Sequence, residues 1–243
     1  MRIQGDQVAL YLSGQDIPVP ECNIIIHQPT IKQIVMLKET VFISAMQLFS
    51  NIDENISKLR EFNEELTEQF TDFQLLMALL HQDDYVKINV DNFFELIFPK
   101  YNIEIRENDI CFYYNEQKVG MINSNNYKVF CDIIDKLFGL PIDKNKYNPA
   151  NEKAKELANK FKKRAEQLAK QKGKFDDSPS LYGSYISILS VGMNIDINIL
   201  FNYTPFQLYD IFNRYWKKVN SDFYQRVSTM PMMDVSKMEE PDN

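Results

Sequence analysis

TPFQLYDIFNRYWKKVNSDFYQRV, residues 204–227, carries the most complete helix signature in the chain. Thr204 stands at the N-cap, and Pro205 at the first helical position, where a missing N–H costs nothing. Gln207 follows at the position that closes a capping box. Large apolar residues recur at Tyr209, Phe212, Trp216, Val219, Phe223 and Val227, at spacings of three and four, so they share one face. Asp210, Asn213, Arg214, Lys217, Lys218 and Asn220 fall largely on the other. A stripe of this kind predicts a helix docked on a core, with Trp216 buried in mid-stripe.

Upstream, Asn194–Asn202 reads as a link. Before it, Ser178-Pro179 opens a helix carrying Tyr182, Tyr185, Ile186, Leu189 and Met193. Residues 150–172 are nearly all good helix formers, with a narrow stripe of Ala154, Leu157, Ala158, Phe161, Ala165 and Leu168 that Gly173 ends. From Glu152 to Lys174 there are nine basic and three acidic residues, a local excess of +6 in a chain whose net charge is −7. The turn-rich run Asp143–Pro149 marks a boundary. The division expected is a mixed α+β part over 1–148, a helical part over 149–229 and a flexible acidic tail over 230–243.

In the first part, Val8, Leu10 and Leu12 alternate with Ala9, Tyr11 and Ser13 and predict a strand, with a turn at Ser13–Asp16. Pro18 and Pro20 confine the next piece to an edge or an extended loop, Asn23–His27 offers a short buried strand, and a hairpin is expected within residues 7–28. Thr30 and Gln33 form a second capping box, opening one helix through Ile34, Leu37, Val41, Ala45 and Leu48. Residues 51–69 read as an acidic, solvated helix. Asp72 caps the apolar run Phe73–His81, and Asn89 or Asp91 a short helix near Phe93–Phe98. From Asn102 the period becomes two: Ile103 and Ile105, then Ile110, Phe112 and Tyr114, then Val119, Met121 and Ile122, separated by polar turns, predict an antiparallel meander over 102–122. Ser124 caps a further helix that stops at Gly139. The fold class expected is α+β, mostly helical, with an N-terminal hairpin, this short meander and a helical C-terminal part.

Composition excludes several functions. Gly numbers seven, and neither a GxGxxG nor a GxxxxGK[ST] pattern occurs, which argues against a nucleotide fold built on glycine-rich loops. The negative charge disfavours whole-surface binding of nucleic acid or anionic membrane. Three widely spaced cysteines, Cys22, Cys111 and Cys131, fit a reducing compartment better than a disulfide framework. Met1–Asp6 lacks the apolar core of a signal peptide, and no apolar run is long enough to span a membrane, so the cytoplasm is expected. His27 and His81 lie in no metal-binding pattern, and structural roles are expected for both. Cys22 and His27, five residues apart on a strand, face opposite ways. The adjacent carboxylates Asp83-Asp84, Asp176-Asp177 and Glu239-Glu240 point apart and make poor acid/base pairs. No catalytic residue, cofactor or metal is expected. In the basic segment, Lys160, Lys162, Lys163 and Arg164 suit phosphates, but Phe161 is its only aromatic and base stacking wants several. The other readings of this segment are a solvated face and a docking surface for an acidic partner.

Ser180-Leu181-Tyr182-Gly183-Ser184-Tyr185-Ile186-Ser187-Ile188-Leu189 is a helix rich in Ile, Ser and Leu. It precedes an Asn-x-Thr-x-x-Gln-Leu-Tyr helix start, Asn202-Tyr203-Thr204-Pro205-Phe206-Gln207-Leu208-Tyr209. With Pro18-Val19-Pro20 and Gln28–Ile34, these residues make the chain resemble the tail assembly chaperones of bacteriophages of Gram-positive bacteria. The resemblance implies a non-enzymatic role in the host cytoplasm: holding a long helical tape-measure protein soluble while the tail tube polymerises around it. Such a role needs apolar grooves between helices to receive amphipathic helices. The partner-contact residues expected are Phe161, Lys162, Lys163, Arg164, Tyr182, Tyr185, Tyr209 and Trp216. The partner is a helical client, with self-association in addition and neither nucleic acid nor membrane. The alternative is a nucleic-acid-associated phage or bacterial protein using the basic helix 153–174, with an enzyme as the third reading.

Overall fold

The computed structural model describes residues 5–50, 70–139 and 180–228. These form an α+β fold, mostly helical, with two small antiparallel sheets. The first helix, α1 (Gly5–Leu12), replaces the strand expected from Val8, Leu10 and Leu12. So short an alternation fits a helix equally well, because Val8, Tyr11 and Leu12 also share a helical face. Tyr11 decides between them: it is 4% exposed and packs edge-on against Phe206 at 5.3 Å. Gly14, at φ 69°, follows the helix in the left-handed region that suits glycine.

A hairpin does form in this region, but as β1 (Ile17–Val19) and β2 (Ile24–Ile26), turning at Pro20–Asn23 and not at Ser13–Asp16, with Ile17 opposite Ile26 and Val19 opposite Ile24. Those four side chains are buried, while Pro18 and Ile25 face out. Thr30 and Gln33 then form the expected capping box of α2 (Ile31–Leu37). The single long helix expected here is broken at Lys38, whose φ is 88°, and α3 (Glu39–Ser50) starts afresh. The break re-phases the apolar stripe, so Phe42, Ala45, Met46 and Phe49 are buried while Val41 and Leu48 are only half-buried. The acidic segment 51–69 lies outside the described residues.

α4 (Asp72–Gln82) is capped by Thr71, in a capping box with Gln74, and not by Asp72. α5 (Asp84–Ile97) is far longer than the short helix expected near 93–98. Asp83 begins it, its carboxylate accepting the N–H groups of Tyr85 at 2.9 Å and Val86 at 3.1 Å. Asn89 and Asp91, expected as caps, lie inside it. The meander is as expected: β3 (Asn102–Ile105), β4 (Ile110–Tyr114) and β5 (Gln117–Ile122), in that order across the sheet. Asn115 and Glu116, at φ 49° and 65°, make the two-residue turn whose twist suits a hairpin. Between the pairs Phe112–Gly120 and Tyr113–Lys118, Val119 is an extra residue on β5, a bulge. α6 (Tyr127–Phe138) is not capped by Ser124; Asn126 precedes it, and its Oδ1 accepts the N–H of Asn123 at 2.8 Å. It stops at Gly139, as expected.

α7 (Leu181–Met193) leads through a five-residue helix, α8 (Ile197–Phe201), inside the expected link, to α9 (Pro205–Ser228). Contacts group Met1–Gly139 with Tyr185–Asn243 as one unit, and Leu140–Ser184 as a second. Of the second, Ser180–Ser184 are described: Ser180 Oγ accepts the Gly183 N–H at 2.9 Å, doing the capping expected of Ser178. The boundaries expected at 148/149 and 229/230 lie outside the described residues, as does the helix expected over 150–172.

The core of the first unit is aromatic. Phe42, Phe49, Phe93, Phe94, Phe98, Phe112, Phe130 and Phe138 interlock, with centroids from 4.8 Å for Phe98–Phe112 to 6.5 Å for Phe94–Phe130. The hairpin docks on the meander by backbone contact, the Met121 N–H donating to the Cys22 carbonyl at 3.0 Å. Gly120 makes this approach possible: a methyl built there would lie 2.5 Å from the carbonyl oxygens of Cys22 and Asn23. The root of α9 is held just as locally. Gln207 completes the expected box with Thr204 and also donates through Nε2 to the Leu12 carbonyl at 2.7 Å. The Ile31 N–H reaches the Tyr203 carbonyl at 2.8 Å. Among the described residues no helix is long and apolar enough to cross a membrane.

Candidate functional site

Capping chemistry anchors only the start of α9. Thr204, Leu208 and Tyr209 are buried, but among the described side chains none beyond Tyr209 is. Trp216, expected in the core, is 50% exposed, and Phe223 is 57% exposed. The correction has a geometric cause. A helix of this length rises about 1.5 Å per residue, so past its buried root the stripe runs on with no layer among the described residues that buries it.

What does flank the stripe is α7. Tyr185 packs edge-on against Tyr209 at 5.3 Å and against Phe212 at 4.5 Å, and Phe212 stacks on Trp216 at 6.3 Å. One end of α7 comes equally near: a methyl on Gly192 would fall 2.2 Å from Tyr215 Oη. Ile188, three residues from Tyr185 and four from Gly192, lies beside this seam and is 43% exposed; Val191 is more open still. α7 carries no charged side chain. Arg214, Lys217 and Lys218 line the outer face of α9, with Arg214 paired to Asp210 at 2.7 Å. The result is an apolar strip, aromatic on one helix and aliphatic on the other, with a basic border.

Of the expected contact residues, Tyr182 is fully enclosed and Tyr209 nearly so, and neither presents its ring to solvent. Tyr185 is half-buried beneath the strip, and Trp216 stands in it. Phe161, Lys162, Lys163 and Arg164 lie outside the described residues, with the whole basic segment 153–174.

Sequence reading missed a second cluster. Asp16 Oδ1 lies 2.9 Å from His27 Nδ1, and Asp16 Oδ2 accepts from Lys100 Nζ at 2.8 Å. An ionised carboxylate can only accept, so His27 Nδ1 carries a proton. The hydrogen bonds from Lys100 and then His27 hold the Asp16 carboxyl below its ordinary range. No spacing rule links positions 16, 27 and 100. The only signal was a turn aspartate near a histidine that ends a strand. His81 is exposed at the end of α4. The three cysteines are free and buried, and burial pushes the Cys22 thiol up to about 11. Among the described residues no group of His, Cys, Asp or Glu is placed to hold a metal ion. Comparison with family models, with curated proteins and with solved structures finds no match for this chain.

Proposed function

We propose that this protein is a non-enzymatic assembly chaperone of the phage-tail type, which binds amphipathic helices of a long, tape-measure-like client in the host cytoplasm. The observation that carries the reading is the exposure of Trp216 and Phe223 on a helix whose neighbour, α7, offers Ile188 and Val191 and no charge. Exposed aromatic and aliphatic side chains in a strip along two helices suit a client helix laid lengthwise, anchored at intervals of three and four residues. Aromatic anchors of this kind concentrate binding energy. A fibrous client with an apolar heptad seam aggregates when that seam lacks partners, and covering it needs no chemistry beyond apolar contact.

The test uses the chain's single tryptophan as reporter. Co-expression with a neighbouring-gene protein of long heptad pattern raises that client's soluble fraction, yields a complex on size-exclusion chromatography and shifts Trp216 emission to the blue. Replacing Trp216 and Phe223 together by Asp removes the complex and leaves the circular dichroism unchanged. If the client stays equally insoluble with and without this protein, and no complex survives chromatography, the reading is wrong.

A further inference from the structure

Far along the chain from α7–α9, an open groove of about 740 Å³ separates the β1–β2 hairpin from the meander. Its size falls within the roughly 300–1,000 Å³ that suits one small ligand. Pro18 and Ile25 form one wall, and Tyr114 and the bulged Val119 the other, with Lys100 and Tyr101 also lining it. Asn23 Nδ2 donates to the Val119 carbonyl and ties the two walls together.

The lining is mostly apolar, and its one formal charge is the Lys100 ammonium. Tyr101 and Tyr114 line the same groove as Lys100. Asp16, outside the lining, takes one of its three N–H donors at 2.8 Å and is itself shared with His27. Two N–H donors on Lys100 therefore remain for an anion, and the two tyrosines of the same lining carry O–H groups that can add to them. β1 centres on Pro18, which has no N–H, so an added peptide strand gains little along that edge, and the walls favour a compact ligand over a peptide.

We propose that this groove binds a small apolar monocarboxylate, its hydrocarbon body against Pro18, Ile25 and Val119 and its carboxylate accepting from Lys100 Nζ and the hydroxyls of Tyr101 and Tyr114. Nothing in this depends on the α7–α9 strip.

The test is a titration of the full-length, ¹⁵N-labelled protein with sodium octanoate, octanol and octylammonium, followed by amide chemical shifts. Octanoate produces saturable shifts confined to the hairpin and to residues around Tyr101, Tyr114 and Val119, and binds at least about tenfold more tightly than the other two. Replacing Tyr101 and Tyr114 together by Phe keeps the apolar walls and removes the hydroxyls, and it weakens octanoate about tenfold. Lys100→Met abolishes the preference for octanoate over octanol. Well-dispersed spectra of both variants show that the fold survives. Equal affinity for all three compounds, shifts centred on Trp216 and Phe223, or no saturable shift at millimolar octanoate would each overturn the proposal.

Discussion

Phe93 on α5 and Trp216 on α9 occupy the same kind of position in sequence, mid-stripe on an amphipathic helix, and each stacks on a neighbouring ring. Phe93 lies 5.8 Å from Phe49 with planes 16° apart, and Trp216 lies 6.3 Å from Phe212 with planes 11° apart. Phe93 is nonetheless fully buried and Trp216 half exposed. The difference lies in how many elements meet the stripe. α5 packs against α2, α3 and α4, and Phe138 of α6 closes the ring cluster. α9 meets α1 at its root, contacts α6 and has α7 along one flank. Helical period reports that a face is apolar; enclosure requires layers on both sides of that face.

The strongest way to break this comparison is Phe93→Ala. Removing a fully enclosed ring from the cluster should cost about 3–5 kcal/mol in urea unfolding. A loss under about 1 kcal/mol would mean that the aromatic core is not what holds the unit together.

Gly120→Ala should come next, at about 1–3 kcal/mol, because the added methyl meets two backbone carbonyls of the hairpin turn that cannot swing aside. The damage should be local. Amide exchange should accelerate in β1 and β2 before it does in α5, and uniform acceleration would show that the hairpin is not separately docked.

Trp216→Ala sharpens the contrast directly. With half its surface already in water, truncation should cost no more than about 1 kcal/mol while client binding is lost. Tryptophan emission of the unmodified protein should lie to the red of a buried indole. A stability loss as large as that of Phe93→Ala would show the strip to be covered.

The smallest effect concerns the ion cluster. The Asp16 pKa is lowered below 3.8, chiefly by Lys100 and then by His27, so its contribution to stability is present above pH 3.8 and is lost as the pH falls through the lowered value. Asp16→Asn should therefore be less stable than the parent at neutral pH, and the gap in Tm should close only below pH 3.8. Both partners are partly exposed, so the gap is modest. A gap that persists unchanged into acid would assign the effect to hydrogen bonding and not to charge.

Much of the local structure was legible in the chain itself. Thr30 with Gln33 and Thr204 with Gln207 form their capping boxes, because the bonds involved reach only three residues along the backbone. The meander follows from its period and its polar turns, and Gly139 stops α6 where a glycine is expected to. Errors arose where two local readings were equally good. Asp72 and Thr71 are both good caps, and the box with Gln74 settles it. The residues Val8–Leu12 suit strand or helix alike.

What the sequence determined by itself, then, is whatever short-range hydrogen bonding and side-chain period control: the capping boxes at Thr30 and Thr204, the strand order of the meander, and which faces are apolar. Tertiary structure alone decided that α1 is a helix, because Tyr11 needed Phe206; that Lys38 breaks the second stripe, because Phe42 and Phe49 had to turn inward; and that Trp216 stays outside. It also brought Asp16, His27 and Lys100 together across long stretches of chain. The reason is common to all of these. Burial and ion pairing are properties of what surrounds a residue, and the surroundings are set by distant segments whose arrival no local pattern encodes.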